Sequence, residues 1–167
     1  ESEEPHQSLL NKLIGRVRKK KPKGGVIVQG LDDILIKFAK CCQPVPGDPI
    51  IGYITRGFGV TVHRTNCVNV LKMSPERQVD VQWNDDIRET YPVKVLVRSY
   101  DRVGLLADLA ANISKNEANI LSVNTRTLEN KIVDSHFTIA VEGTEHLEKV
   151  LTAIRKVRQV QEVKRIG

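Results

Sequence analysis

Three cysteines and one histidine are the residues of this sequence whose types and spacing indicate chemistry. Cys41 and Cys42 are adjacent, and His63 precedes Cys67 by four positions. Thiolate and imidazole groups are preferred zinc ligands, and four of them complete a tetrahedral structural site. The sequence therefore offers Cys41, Cys42, His63 and Cys67 as a candidate zinc site.

The adjacent cysteines leave a second interpretation open. On a strand, neighbouring side chains point to opposite faces, so Cys41 and Cys42 reach one ion only if the backbone turns there. In the metal-free alternative the cysteines are buried as small apolar residues and His63 is hydrogen-bonded nearby. No catalytic site is expected, because a nucleophilic cysteine would have no evident oxyanion donors and no general-base partner other than His63. An odd number of cysteines also excludes a complete set of intramolecular disulfides.

The composition limits the class of protein. A chain of 167 residues has room for one ordinary domain or two small ones. The net charge of +6 gives weak support for nucleic-acid binding. The sequence contains no apolar run long enough to span a membrane and no signal-peptide pattern. We therefore expect a reduced, cytoplasmic protein that is not bound to a membrane.

The first two of three predicted regions carry different patterns. Residues 1–25 read as a helical linker, the tail of a preceding region, with an apolar stripe over 6–18. The basic run at 16–23 is either a solvated linker or a tether that contacts RNA. Residues 26–88 form a small mixed module built around the cysteines. Its predicted elements are strands at 26–28, 34–38, 50–55, 60–63 and 78–83 and a short helix at 67–72.

A second unit is predicted over residues 91–167. Val93, Val95 and Val97 alternate with Lys94, Leu96 and Arg98, which indicates a strand. The whole order is strand-helix-strand-strand-helix-strand, the ferredoxin-like βαββαβ pattern, so the fold class of the chain is α+β. Its elements are predicted at 93–98, 105–116, 119–127, 131–141, 145–156 and 160–163.

Several motifs in these two units resemble one known family. The matching runs are Cys41-Cys42-x-Pro44-Val45-Pro46-Gly47-Asp48, Gly52-Tyr53-Ile54-Thr55-Arg56-Gly57, His63-Arg64-x-x-Cys67 and Asp101-x-x-Gly104-Leu105-Leu106. The first three resemble the zinc-finger or ribosome-intersubunit module of the bacterial Rel/Spo family. The last resembles the ACT domain that follows that module.

The resemblance implies a regulatory role without catalysis in this chain. The family's parent enzyme is a GTP pyrophosphokinase and (p)ppGpp 3'-pyrophosphohydrolase of the stringent response. Its C-terminal modules contact large-subunit rRNA at the ribosomal A site when deacylated tRNA is bound. The chain would relay ribosome or amino-acid status to catalytic domains, with zinc as a candidate cofactor and no catalytic cofactor. One departure is Asn66, where many relatives carry aspartate before the last cysteine.

Two further sets of candidate residues follow from the pattern and the resemblance. Basic and aromatic side chains could contact phosphates or stack on unpaired bases. The RNA-binding candidates are Lys37, Lys40, Arg56, Phe58, His63 and Arg64.

The alternative function is a branched-chain amino-acid sensor in which the cysteine module is purely structural. ACT domains bind amino acids where two copies pair, so we expect a homodimer through this domain and valine or isoleucine as ligand. Gly104 would present helix N–H groups to the carboxylate, or would serve only for tight packing. The candidate residues are Asp101, Arg102, Gly104, Leu105 and Leu106, opposite Asn119, Ile120 and Leu121.

Overall fold

The computed structural model describes residues 25–31, 34–57 and 59–167. The helix predicted over residues 6–18 and the candidate Phe58 therefore lie outside the described residues. The described residues form two consecutive modules that contain both sheets and helical segments, which confirms the α+β prediction.

The first module consists of short strands. Its elements are β1 Val26–Val28, β2 Leu35–Phe38, β3 Ile50–Ile54, β4 Gly59–Arg64, β5 Gln78–Val79 and β6 Val81–Trp83. One sheet has the order β2-β4-β3-β5, in which β2 runs parallel to β4 and the other pairs are antiparallel. Strands β1 and β6 form a separate antiparallel pair. Apolar side chains of both sheets, including Val26, Val60 and Val62, make one small core.

Two local predictions in this module were wrong. The predicted strand over 78–83 is divided at Asp80, and its halves join different sheets. The alternation of valines continues across this break, so the pattern predicted one strand. The helix predicted over 67–72 is a turn followed by a 3₁₀ segment, Val70–Lys72. Its hydrogen bonds join residues three apart, such as Val70 N–H to the Cys67 carbonyl at 3.0 Å.

The second module has the predicted βαββαβ order. Its elements are β7 Tyr91–Tyr100, α1 Leu105–Lys115, β8 Asn119–Thr127, β9 Ile132–Val141, α2 Thr144–Arg155 and β10 Val160–Ile166. The antiparallel sheet has the order β10-β7-β9-β8. Leu105, Leu109 and Ile113 are buried at intervals of four residues, so one stripe of α1 covers the sheet.

The two modules share a hydrophobic core. Val45 of the first module is fully buried in the core of the second, which also contains Val93. Phe38, Trp83 and Tyr91 form an aromatic cluster at the junction, with ring centroids 5.4–5.7 Å apart. Such aromatic pairs stabilise a contact beyond the burial of their area. The loop that follows the adjacent cysteines is therefore part of the boundary between modules.

Candidate metal centre and its support from the second module

The four residues of the candidate zinc site lie together in the structure. Cys41 and Cys42 occupy a turn after β2, His63 is on β4, and Cys67 lies in the turn that follows β4. The Cys41 sulfur is 3.5 Å from His63 Nδ1 and 3.6 Å from the Cys67 sulfur. The Cys42 sulfur is 3.7 Å from His63 Nδ1, and all four atoms lie within 4.8 Å of one another.

These distances fit a tetrahedral zinc ion. Bonds of about 2.3 Å to sulfur and about 2.0 Å to nitrogen place neighbouring ligand atoms about 3.5–3.8 Å apart. The three measured distances, 3.5, 3.6 and 3.7 Å, fall in that range. Three thiols and one imidazole also form one of the usual ligand sets of structural zinc. The residues present could therefore hold the ion.

A turn of the backbone removes the difficulty of adjacent cysteines. The Gln43 N–H donates to the Ala39 carbonyl at 2.9 Å, so these residues form a turn and do not extend β2. Gln43 itself has a φ of 42°, in the left-handed region that non-glycine residues rarely adopt. Because the chain turns here, Cys41 and Cys42 both direct their sulfurs at His63.

Burial and mutual hydrogen bonds shift the pKa values of three of the four cluster residues. Burial and the neighbouring Cys41 thiol raise the pKa of Cys42 to about 12. Burial also raises the pKa of Cys67, but the Asn69 N–H and the other thiols donate hydrogen bonds that outweigh it and lower that pKa. Burial lowers the pKa of His63, which keeps the imidazole neutral. A divalent cation would stabilise all three thiolates together, since metal ligation deprotonates thiols.

The loop after the cysteines, residues 43–48, is held by the second module and is called the docking loop below. Arg165 on β10 contacts the two Asp48 carboxylate oxygens at 3.0 and 2.8 Å. It also donates to the Gln43 carbonyl at 2.6 Å. The Lys94 N–H on β7 donates to the Gln43 side-chain oxygen at 3.0 Å. The ion pair is largely shielded from water, because the Arg165 side chain is 14% exposed and that of Asp48 9%.

Further contacts fix the rest of the docking loop. The Thr144 N–H at the start of α2 donates to the Pro46 carbonyl at 2.8 Å. The Trp83 indole N–H donates to the Asp48 carbonyl at 2.9 Å. A Cβ on Gly143 would lie 2.7 Å from the Pro46 carbonyl oxygen, so only glycine permits this approach without a shift. The docking loop is thus bound at both ends and in the middle.

Sequence reasoning missed the roles of Asp48 and Arg165. The Pro44-x-Pro46-Gly47-Asp48 run identified the turn, but its partner is 117 residues away. One signal in the sequence could have indicated that this turn is buried. Val45 is an apolar residue between two prolines, and it belongs to no predicted strand or helix.

The predicted RNA-binding residues are divided between exposed and enclosed positions. Lys37, Lys40 and Arg56 are exposed on the first module. His63 is 4% exposed and lies in the cysteine cluster. The Arg64 guanidinium donates to the Gly167 carbonyl at the end of the second module, and its backbone N–H donates to the Cys42 sulfur at 3.3 Å.

The predicted amino-acid site is also divided within one chain. Asp101, Arg102, Gly104, Leu105 and Leu106 surround the start of α1. There they line a cavity of about 220 Å³ together with Thr125, Thr127, Val133 and Ser135. By contrast, Asn119, Ile120 and Leu121 begin β8, beyond the other end of α1. A helix of 11 residues is about 16 Å long, so these two groups do not meet in one chain.

Comparison with known proteins gives a family for each module. Residues 26–84 match the RelA/SpoT RIS domain, and residues 88–165 match the ACT domain. A GTP pyrophosphokinase of Streptomyces coelicolor is 42% identical over 154 residues, 91% of this chain and 18% of that protein. The bifunctional (p)ppGpp synthase/hydrolase RelA of Mycobacterium tuberculosis is 40% identical over 144 residues, 85% of this chain and 20% of that protein.

A solved structure is similar to the second module. The ACT domain from GTP pyrophosphokinase of Chlorobium tepidum is 23% identical, with a TM-score of 0.42. The match covers 47% of this chain and all of that one. The chain spans about a fifth of the length of the curated relatives it matches.

Both family matches coincide with modules that are visible in the structure, and relatives named as GTP pyrophosphokinases align across both of them. The chain therefore belongs to the RelA/SpoT family, and its two modules are the RIS and ACT domains of that family's C-terminal regulatory region.

Proposed function

We propose that this chain is the regulatory part of a longer (p)ppGpp synthetase/hydrolase. In this proposal it binds large-subunit rRNA at the ribosomal A site, beside deacylated tRNA, and relays that state to catalytic domains elsewhere in the protein. The observation that carries the proposal is the RIS match over residues 26–84, joined to an ACT domain through a shared core. The names of the relatives supply the activity of the longer protein.

The shared core supports the relay. A signal passes between domains only if the bound partner has different affinities for two arrangements of the protein. Val45 and the Asp48–Arg165 pair connect the RIS domain to the ACT domain. A partner that displaces the RIS domain would therefore displace the ACT domain with it.

The location of the protein follows from the same proposal. Helices of membrane-spanning length and hydropathy are absent from the described residues. The three cysteines are free thiols, as expected in a reducing compartment. We propose a cytoplasmic location, because the ribosomes that the chain is proposed to bind are there.

The RNA-binding surface is proposed to contain Lys37, Lys40 and Arg56, with Phe58 nearby in sequence. Exposed cationic side chains contact phosphates and release counterions, which makes binding salt-dependent. Arg64 is a poor choice for a first test, because its guanidinium contacts Gly167 and its loss would also disturb the contact between domains.

The test is binding of the chain to large ribosomal subunits and to labelled large-subunit rRNA over a range of salt concentrations. Arg56→Gln should weaken binding and reduce the slope of log affinity against log salt by about 1. Arg158→Gln, which removes an exposed arginine from the ACT domain, is the matched control. Equal effects of the two variants, or binding that does not respond to salt, would refute this surface.

We further propose that Cys41, Cys42, His63 and Cys67 hold a structural zinc ion. The ion would cross-link the turn after β2 to β4 and the turn that follows it. Elemental analysis of protein prepared without chelator should give about one zinc per chain, and chelation should unfold the RIS domain. A preparation that is folded and free of metal would refute the zinc proposal.

A second candidate function is sensing of valine or isoleucine. The observation that favours it is the cavity of about 220 Å³ at the start of α1, where Gly104 has a φ of 79°. In a homodimer, Asn119, Ile120 and Leu121 of a second copy would close the site. Millimolar valine should shift the amide resonances of Gly104 and Leu105, and sedimentation should show a dimer. Unchanged resonances would count against this function.

A further inference from the structure

The turn that directs both cysteines is held from outside the RIS domain. Gln43 has the left-handed φ of 42° directly after Cys42. Arg165 donates to its carbonyl at 2.6 Å, and the Lys94 N–H donates to its side-chain oxygen at 3.0 Å. A strained conformation persists only where the surroundings determine it. The Gln43 N–H donates to Ala39 within the RIS domain, but the groups that bind the Gln43 carbonyl and side chain belong to the ACT domain.

The Arg165 side chain is held in place beside Gln43 by an ion pair. Its side chain is 14% exposed and contacts both carboxylate oxygens of Asp48. Asp48 is held in turn, because its carboxylate accepts the Val45 N–H at 2.9 Å. A guanidinium bound in this two-point geometry has little freedom to move away from the Gln43 carbonyl.

A second contact brings the end of the ACT domain to the cysteines. A Cβ on Gly167 would lie 3.0 Å from the Cys41 carbonyl oxygen and 3.6 Å from the Cys42 Cα. The same residue accepts a hydrogen bond from the Arg64 side chain. Gly167, the residue that follows β10, therefore lies against the backbone of both cysteines.

We propose that Arg165 of the ACT domain is a positioning residue for the cation site of the RIS domain. It holds Gln43 in the conformation that turns Cys41 and Cys42 towards His63. This inference rests on the cation site proposed above. Because coupling is reciprocal, docking of the ACT domain tightens cation binding and a bound cation strengthens docking by the same factor.

The test is a Co²⁺ titration of the full chain, followed by the absorbance of cobalt–thiolate coordination. Arg165→Gln should weaken Co²⁺ binding by about 5- to 150-fold, the range typical of coupled sites. Arg98→Gln is the matched control. It breaks a two-point arginine–aspartate pair in the same domain, with Asp134, away from the docking loop. Its Co²⁺ affinity should equal that of the unaltered chain.

Each outcome has a distinct meaning. Equal affinity of Arg165→Gln and Arg98→Gln overturns the positioning role while leaving the cation site intact. No cobalt–thiolate absorbance in the unaltered chain refutes the cation site, and the positioning role falls with it.

A second measurement needs no variant. Trp83 is the chain's only tryptophan, and its indole N–H donates to the Asp48 carbonyl at 2.9 Å. Loading the unaltered chain with Zn²⁺ should therefore change Trp83 emission. Unchanged emission in a chain that has taken up one Zn²⁺ also overturns the proposal, even if Arg165→Gln does not fold.

Discussion

Val45→Ala should destabilise the ACT domain although the residue belongs to the RIS domain. The Val45 side chain is completely buried. It packs in the core of the ACT domain, which contains Val93 and Leu147. The substitution removes two buried methyl groups, and the surrounding side chains belong to elements that cannot collapse freely around the gap.

The expected size of the effect follows from this burial. Each buried methyl group contributes about 0.8 kcal/mol, so the lost transfer free energy is about 1.6 kcal/mol. The unfilled cavity adds to this, giving a loss of about 2–3 kcal/mol in the free energy of unfolding. For a chain of this size that corresponds to a melting temperature about 4–12 °C lower.

The assay is urea denaturation combined with amide hydrogen exchange. Val68→Ala is the control, because it deletes the same atoms from a side chain that is 70% exposed in the same domain. The control should change the free energy of unfolding by less than about 0.5 kcal/mol. In Val45→Ala, protection of the β7 amides, such as those of Val93 and Val95, should fall.

Two results would contradict the shared core. One is a loss no larger than that of Val68→Ala. The other is a lower stability confined to the RIS domain, with exchange from the β7 amides of the ACT domain unchanged.

Three further predictions concern the metal centre, acid stability and the docking contact. Cys42→Ser removes one of the four candidate ligands and should reduce bound zinc to well below one per chain by elemental analysis. The hydrogen-bonded Arg98 guanidinium holds the pKa of Asp134 below its usual range. That pair therefore contributes stability above the unfolded-state pKa, and the contribution is lost as pH falls through the lower folded pKa. Asp134→Asn should accordingly reduce the decline of urea midpoints below about pH 4. Gly143→Ala places a methyl group 2.7 Å from a carbonyl oxygen of the docking loop and should cost about 1–3 kcal/mol in urea unfolding. Gly57→Ala, which meets nothing within 4 Å, should be close to neutral.

The elements of the ACT domain could be predicted because their signals are local. Alternation of Val93, Val95 and Val97 corresponds to the buried face of β7. The helical spacing of Leu105, Leu109 and Ile113 corresponds to the buried stripe of α1. The period of the apolar residues indicates which face of a strand or helix is buried. Each of these elements is long enough for that period to be recognised.

The cysteine cluster could be predicted only in part. Residue types and the His63–Cys67 spacing identified the group, but the direction of Cys41 and Cys42 depends on the turn at Gln43. Glutamine carries no local signal for a left-handed conformation. That conformation is bound by residues more than fifty positions away, which no local pattern can reveal.

The junction between domains was not predictable for a related reason. The sequence of residues 43–48 identifies a turn, and a turn is compatible with either an exposed or a buried position. Burial of Val45 follows from the surface that the ACT domain presents to it, at Tyr91, Val93 and the start of α2. The break at Asp80 escaped prediction similarly, because the choice between two sheets is made by pairing partners.

The Asp48–Arg165 pair also has a consequence for the order in which the protein is made. The two residues are 117 positions apart. At a synthesis rate of about 5–20 residues per second, Arg165 is added about 6–23 s after Asp48. During that interval the nascent RIS domain has its cysteines but lacks the strand that braces their turn. Completion of the proposed cation site would therefore be timed by the synthesis of β10.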